Sequence, residues 1–551
     1  MIQPGRPLLI QEPPKKEETM TEKRFKKISL SRLLPILILL LGACLRLFRL
    51  GSVPGGMHQD ESFVTWNAFG ILHEGMDSAG HRFPVYMADW GDGHSALYVW
   101  LLMPLLALNG GHFSPFLSRL PQAVVSVCTL WSVYCLIKCL FHRKLALWSL
   151  FLLAICPWHI MMSRWGLDAN LAPGFLIFGL TFFVKGLEQK KYLLLSGLFY
   201  GASLYCYAVI WPAVPFMLLL QIVYCLAHKK LRIDRWSLGA SLILFIMAVP
   251  LLLFLLVNSE VIPQITLPFM TIPRMGSYRG SEIALTPSGM WSNLRTALSL
   301  LWHQSNGSAF DILLPWGLFY DIGRVFIVIG TIALLLRLLR SFRERKFCPE
   351  YFLFVPLLGG ALTCLLVTAI LHQINALYIP LVLSEAYGVW TVTEWIMRKR
   401  DRLAEWICRG IVVIYLLCLV LFQRDYYGDY RTLVSAWFGE GVEDCVGYAM
   451  DQCSAEHIDT IVAEKGTQWP RLLLYTETLP SQYLSTVIHD TPPTPACFTT
   501  DSGICIHVGI DYDNIDRESI YIIYFIDVSA FENDFTLTQF HDWYVAVPKR
   551  D

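Results

Sequence analysis

Two acidic clusters stand close together near the start of the chain. Asp60-Glu61 follows a Pro54-Gly55-Gly56 turn, and Asp89-Trp90-Gly91-Asp92-Gly93-His94 comes about thirty residues later. Carboxylates gathered this way suit general-base chemistry, in which a restrained carboxylate takes a proton from an attacking hydroxyl. Asp60 is the candidate base, with Glu61 and Asp92 shaping the site. A partly desolvated loop and the adjacent Glu61 charge are both expected to raise the Asp60 carboxyl. Carboxylates with His94 also suit a divalent cation, but the spacing matches no specific metal signature and no motif demands a cofactor. Cations follow further along: Arg119, Arg164 close to Asp168, Arg274 and Arg279 in a long polar loop, and His372. Arginine matches phosphate bidentately, so a base beside an anion-binding site is the chemistry these types allow. Plainer roles compete. Asp60 lies where it would N-cap a short helix, the glycine-flanked acids resemble a solvated turn, and interfacial arginines, Arg46 and Arg49 above all, snorkel to lipid headgroups.

The elements that must position these groups are mostly apolar. The chain has 551 residues, 55% hydrophobic and only 16% charged, well below the quarter charged that is typical of soluble domains. The composition therefore indicates an α-helical polytopic membrane protein, and the balanced net charge gives no hint of nucleic acid. Residues 1–28 are polar and Lys-rich and are expected to form a disordered cytoplasmic tail. Apolar runs predict helices at 29–48, 117–140, 145–162, 171–187, 192–208, 210–227, 236–257, 315–338, 351–371, 374–396 and 405–422. The apolar segment 95–108 is too short for a ~30 Å hydrocarbon core and is assigned to the interface. With that choice every basic loop, from His142-Arg143-Lys144 to Arg398-Lys399-Arg400, falls on the side of the Lys-rich tail. The positive-inside rule then gives about eleven spans with the N-terminus inside. The first outer loop (51–115) carries both acidic clusters, and the long outer loop (258–314) carries Arg274 and Arg279.

Residues 423–551 change to short alternating apolar segments. They predict helices at 442–451 and 469–478, strands at 457–463, 504–508, 520–526 and 543–547, and a loop at Thr491-Pro492-Pro493-Thr494-Pro495. This reads as a C-terminal extracytoplasmic α/β domain. Cys445 with Cys453, and Cys497 with Cys505, are candidate pairs in an oxidising compartment, though spacing does not fix connectivity.

An ordered set of motifs carries a family resemblance across about residues 30–425. Asp60-Glu61 is followed by Gly91-Asp92-Gly93-His94-Ser95-Ala96-Leu97-Tyr98 and Arg119-Leu120-Pro121. Then come Pro157-Trp158-His159, Ser163-Arg164, Asp168-Ala169-Asn170-Leu171, and His372-Gln373-Ile374-Asn375 with Tyr378-Ile379-Pro380. The set resembles the bacterial C-type (GT-C) glycosyltransferases related to protein O-mannosyltransferases (glycosyltransferase family 39-like) and lipid A aminoarabinose transferases. It departs from them at Ser95-Ala96, where relatives often carry two prolines. The resemblance implies a GT-C transmembrane domain at 29–422 and a polyprenyl- or dolichyl-phosphate sugar donor. It implies transfer to an acceptor hydroxyl, with inversion, on the outer face of the cell membrane, and an acidic residue of the first outer loop at the reaction centre, here Asp60. His94, Arg119, Arg164, Asp168, Arg279 and His372 are the substrate-binding candidates, with Arg164 or Arg279 on the donor phosphate. The acceptor class (protein, wall polymer or glycolipid) and the sugar are not written in the residues. Chemistry agrees: a phosphate leaving group needs charge stabilisation more than a proton, so one carboxylate and nearby cations form the minimum set. A transporter or lipid flippase is the main competing reading, with a non-catalytic surface-binding protein third. Transporters place ionisable groups near the bilayer midplane, whereas here the acids gather outside the apolar runs.

Overall fold

A computed structural model describes residues 30–89, 93–279, 283–398, 400–491 and 494–550. The expected tail at 1–28, Asp92 with its neighbours Trp90 and Gly91, and Pro492-Pro493 lie outside these residues. The transmembrane part comprises α1 (Leu30–Leu47), α2 (Gln59–Glu74), α3 (Leu97–Leu108), α4 (Pro115–Leu140), α5 (Arg143–Ile155), α6 (Pro157–Met162), α7 (Ala172–Glu188), α8 (Tyr192–Ser203), α9 (Ala213–Ala227), α10 (Arg235–Asn258), α11 (Pro287–His303), α12 (Asp321–Glu344), α13 (Tyr351–Leu366), α14 (Tyr378–Met397) and α15 (Asp401–Tyr427). Small hairpins, β1 (Tyr86–Met87) with β2 (His94–Ser95) and β3 (Ile265–Leu267) with β4 (Met270–Ile272), lie in the first and long outer loops.

Every apolar run expected to be helical carries a helix, and six helical segments among the described residues are long and apolar enough to cross a membrane. The chain is a multi-pass membrane protein. The expected junction between spans near Ala208 is corrected: α8 stops at Ser203 and α9 starts at Ala213, with a 3-10 turn at Ala208–Ile210 between them. α3 has twelve residues, about 18 Å of helix, and is too short to span. It packs instead on α2 and α4. α12 and α14 touch through backbone. A Cβ on Gly330 would sit 1.7 Å from the Ser384 carbonyl carbon's oxygen, and one on Gly388 2.1 Å from the Phe326 carbonyl oxygen, so only glycine permits this approach.

The basic loops converge at one end of the bundle. Lys190 pairs with Asp234, Lys230 stands 5.0 Å over the Phe347 ring, and the His142 ring lies 5.1 Å from Trp390. The acid–histidine residues gather with the segments 51–115 and 258–314.

The C-terminal part adds α16 (Tyr430–Leu433), α17 (Ser435–Phe438), α18 (Val442–Glu456), α19 (Trp469–Tyr475) and α20 (Pro480–Thr486). Its strands are β5 (Thr460–Ala463), β6 (Ile488–Thr491), β7 (Thr494–Thr499), β8 (Cys505–Val508), β9 (Ile520–Tyr524), β10 (Phe535–Phe540) and β11 (Trp543–Pro548). They form one sheet in the order β10-β11-β9-β5-β8-β7-β6, with β5 parallel to β8 and β9 and the other neighbours antiparallel. Three of these strands were not expected. β6 is exposed throughout, so it has no apolar alternation to read. Thr494 and Pro495, expected in a loop, open β7, whose partner β6 is the sheet edge where proline is tolerated. Cys445 and Cys453 are eight residues apart on α18, about 12 Å of helix, and are too far apart to pair. Cys497 and Cys505 lie on neighbouring strands, two positions out of register, as free thiols.

Candidate active site

The polypeptide reaches the site through a tight turn into α2. His58, in extended backbone, is the N-cap. Its Nδ1 accepts the Asp60 N–H at 3.3 Å, and Glu61 Oε2 accepts the His58 N–H at 3.0 Å. This is a capping box with histidine in place of the usual serine or threonine. Gly75 closes the helix in the left-handed conformation, φ 72°. Asp60 is therefore not the N-cap, as the sequence suggested. It is the second helical residue, beside the positive end of the helix.

Glu61 does different work. It is fully buried and accepts Arg119 Nε at 2.9 Å, Arg119 Nη2 at 3.0 Å and the Gly166 N–H at 2.7 Å. Arg119 directs its other donors to the Leu50, Pro54 and Gly56 carbonyls. The pair ties the turn before α2 to α4, with Glu61 anchored at the centre of the junction. Arg164 is buried in the same manner. Its guanidinium donates to the carbonyls of Leu45, Arg46, Phe48, Arg49 and Val53 and to the Tyr426 hydroxyl. Neither arginine can turn to a phosphate without stripping several buried carbonyls. Arg119 and Arg164, expected to bind substrate, are instead found engaged with buried groups of the protein itself.

Asp60 sits among three histidines. His58 Nδ1 is 3.4 Å from Asp60 Oδ2. His94, in β2, is held between Asp89 (3.2 Å) and Asp168 (3.4 Å). His372 Nδ1 lies 3.0 Å from Asp311. Asp89 accepts the Gly93 N–H, and Asp168 accepts the N–H groups of Ser95 and Ala169, so both carboxylates have fixed directions. Asp60 keeps 19% of its side chain accessible, against 0% for Glu61, 4% for Asp89, 2% for Asp168 and 3% for Asp311. Of these five carboxylates it is the one a substrate can reach. Asp168 serves His94 and the backbone rather than a ligand.

Electrostatics corrects a second expectation. Burial alone would raise the Asp60 carboxyl, but His58, His94 and His372 outweigh it and hold the group below its ordinary value. Burial likewise opposes charge on His94, yet Asp168, Asp89 and Asp60 push its pKa up to about 9, so it is an imidazolium at neutral pH. His372 is raised as well: burial works against it, Asp311 and Asp60 favour the cation, and Arg279 opposes it. Half-buried Arg279 thus sits close enough to His372 to be felt, and its backbone hydrogen-bonds Tyr86. Arg279 and His372 both lie near Asp60 at the reachable end. Among the described residues no group of three or more His, Cys, Asp or Glu side chains is arranged to hold a metal ion.

Two contributors were not foreseen. Asp311 carries no motif. Arg471, fully buried in α19, donates to the Met57 carbonyl at 2.7 Å and to the Trp437, Gly466 and Thr467 carbonyls. Trp66 Nε1 donates to the Thr478 carbonyl at 2.7 Å, so the C-terminal domain braces both the turn and the helix that carry Asp60. An arginine inside Trp469-Pro470-Arg471-Leu472-Leu473-Leu474 was the one available signal.

The comparisons with known proteins follow this geometry. Residues 93–254 match the family model described as dolichyl-phosphate-mannose-protein mannosyltransferase. The fold is similar to the crystal structure of ArnT from Cupriavidus metallidurans in the apo state, with TM-score 0.52 and 11% identity, over 95% of this chain and 98% of that one. The same protein bound to undecaprenyl phosphate gives TM-score 0.51 and 11% identity, over 94% and 98%. No curated protein matches the chain in sequence. At this identity the structural likeness speaks for the fold, and with the family-model match it bears out the resemblance read from the motifs: the chain has the ArnT-like GT-C fold, with the dolichyl-phosphate-mannose-protein mannosyltransferase signature across residues 93–254.

Proposed function

We propose that the protein is a membrane glycosyltransferase that moves a sugar from a polyprenyl-phosphate donor to an acceptor hydroxyl, with Asp60 as general base. The observation that carries this reading is the partly accessible Asp60 carboxylate, fixed at the start of α2 beside His58 and within electrostatic reach of His94 and His372. The ArnT structure bound to undecaprenyl phosphate supports a lipid-phosphate donor on this fold. Donor phosphate sits toward Arg279 and His372. As the C1–O bond to phosphate breaks, its electron pair stays on the phosphate, where those cations stabilise it. The acceptor oxygen attacks the opposite face of the sugar and gives its proton to Asp60, which inverts C1.

The low proton affinity of the resting Asp60 fits this sequence. A bound phosphate anion offsets the histidine field, and a nearby negative charge raises a carboxyl. The base therefore strengthens when the donor arrives. We read the site and the C-terminal domain as extracytoplasmic, an orientation that the positive-inside rule supports because the basic loops lie away from Asp60.

Labelled-sugar transfer in proteoliposomes tests the reading. Asp60→Asn keeps the shape of the side chain and leaves the His58–Glu61 box intact. It should lower turnover by about 10²-fold or more while donor binding holds. Wild-type turnover in this variant would remove Asp60 as the base.

A further inference from the structure

The loop between α11 and α12 delivers a second built pair to the site. Asp311 is buried and lies 3.0 Å from His372 Nδ1. Its other oxygen accepts Asn306 Nδ2 at 3.1 Å, and its N–H donates to the Ser308 carbonyl. The loop is itself pinned. Phe310 packs against the rings of His58, Trp165 and Trp437, and its carbonyl accepts the Tyr430 hydroxyl. Trp165 also meets His372 edge-on at 5.8 Å. The carboxylate is thus restrained by one hydrogen bond of its own, by its backbone N–H on Ser308 and by the neighbouring ring cluster before it meets the imidazole.

We propose that Asp311 is a positioning residue that holds His372 as a donor toward the lipid-linked phosphate. This rests on the transferase reading above. A carboxylate on Nδ1 fixes which ring nitrogen carries that proton and leaves Nε2 as the ring's other donor. The arrangement differs from that of His94, which has a carboxylate within 3.4 Å of each ring nitrogen. His372 is the histidine suited to a substrate anion, and His94 is suited to hold the field around Asp60. The charged groups that face His372 are Asp311 on its own side, Asp60 from α2 and Arg279 from the long loop. Asp311 and Asp60 favour its charge and Arg279 opposes it. Its charge is present at low pH and is lost as pH rises through its raised value. Without Asp311 that loss comes earlier.

The test uses the purified full chain in detergent, titrated with a polyprenyl phosphate across a pH series, beside transfer kinetics in proteoliposomes. Asp311→Asn should move the alkaline fall of both phosphate binding and donor kcat/KM down by about one pH unit, with kcat at low pH little changed. His372→Gln should flatten that limb, and the double variant should match His372→Gln alone. Asn306→Ala, which frees one Asp311 oxygen without touching the histidine, should shift the limb in the same direction by less, and serves if Asp311→Asn folds poorly. An unchanged limb in both the Asp311→Asn and Asn306→Ala variants, or wild-type phosphate binding in His372→Gln, would overturn the proposal. Absence of any sugar transfer by the wild type, with pH-dependent phosphate binding intact, would instead sink the transferase reading and leave the Asp311–His372 pairing standing as an anion site.

Discussion

Arg119 and Arg164 carry the same charge as Arg279 and lie at the same end of the molecule, yet they sit in a different kind of place. Arg119 and Arg164 are sealed beneath the first outer loop, with their guanidinium groups hydrogen-bonded to backbone carbonyls, Glu61 and Tyr426. Arg279 is half-buried beside His372, within electrostatic reach of the cluster around Asp60. The same division separates Glu61 from its neighbour Asp60. On the proposed reading one layer shapes the loop and the layer above it meets the substrate. Residue type cannot tell them apart; the difference lies in burial, complete for Arg119 and Arg164 and partial for Arg279.

The sharpest way to break this comparison is to empty the lower layer. Arg119→Ala strands Glu61 without its cation, and losing one partner of a buried pair costs about 3–5 kcal/mol. Thermal unfolding in detergent should show the loss, and Glu61→Gln in the same protein should recover part of it. A variant as stable as wild type would mean that Arg119 is not an anchor. Asp60→Asn should do the reverse, leaving the unfolding temperature near wild type while turnover falls about 10²-fold, or ~2.7 kcal/mol in the barrier. Arg279→Ala should weaken donor use by about 1.5–3 kcal/mol, read as a higher KM for donor with stability kept. If Arg279→Ala unfolds the protein instead, it belongs with the lower layer. The smallest effect concerns His94. Its folded pKa is raised to about 9, so its stabilising contribution is complete below the ordinary value of about 6.5 and is lost as pH climbs through about 9. Unfolding measured across that window should show this decline in wild type and a shallower one in His94→Gln.

Much of this was legible in the sequence. The lengths of the apolar runs and the one-sided basic loops outline the helical bundle, because both follow from the bilayer as solvent. The motifs around Asp60, His94 and His372 bring together residues that the fold does bring together. What the residues hid was their satisfaction. Arg164 reads as an outer cation, but its five carbonyl partners come from the end of α1 and the turn after it, more than 100 residues away. Asp311 was missed because its meaning depends wholly on a loop folding back to His372. The Asp60 expectation failed in sign because burial and the Glu61 charge were weighed without adjacent His58 and without His94 and His372 from distant segments. The expected role of Asp92 falls outside the described residues. In the C-terminal domain the exposed β6 escaped because an edge strand lacks the alternation that marks central ones, and β7 escaped because Pro495 near its start reads as loop.

The bond from Arg471 to the Met57 carbonyl links positions 414 residues apart. Translation must add 414 residues after Met57 before that arginine exists. The turn that aims Asp60 is thus made long before its brace. The completed site is therefore a late event in the life of each molecule, and it ties maturation of the reaction centre to delivery of the C-terminal domain to the same side of the membrane.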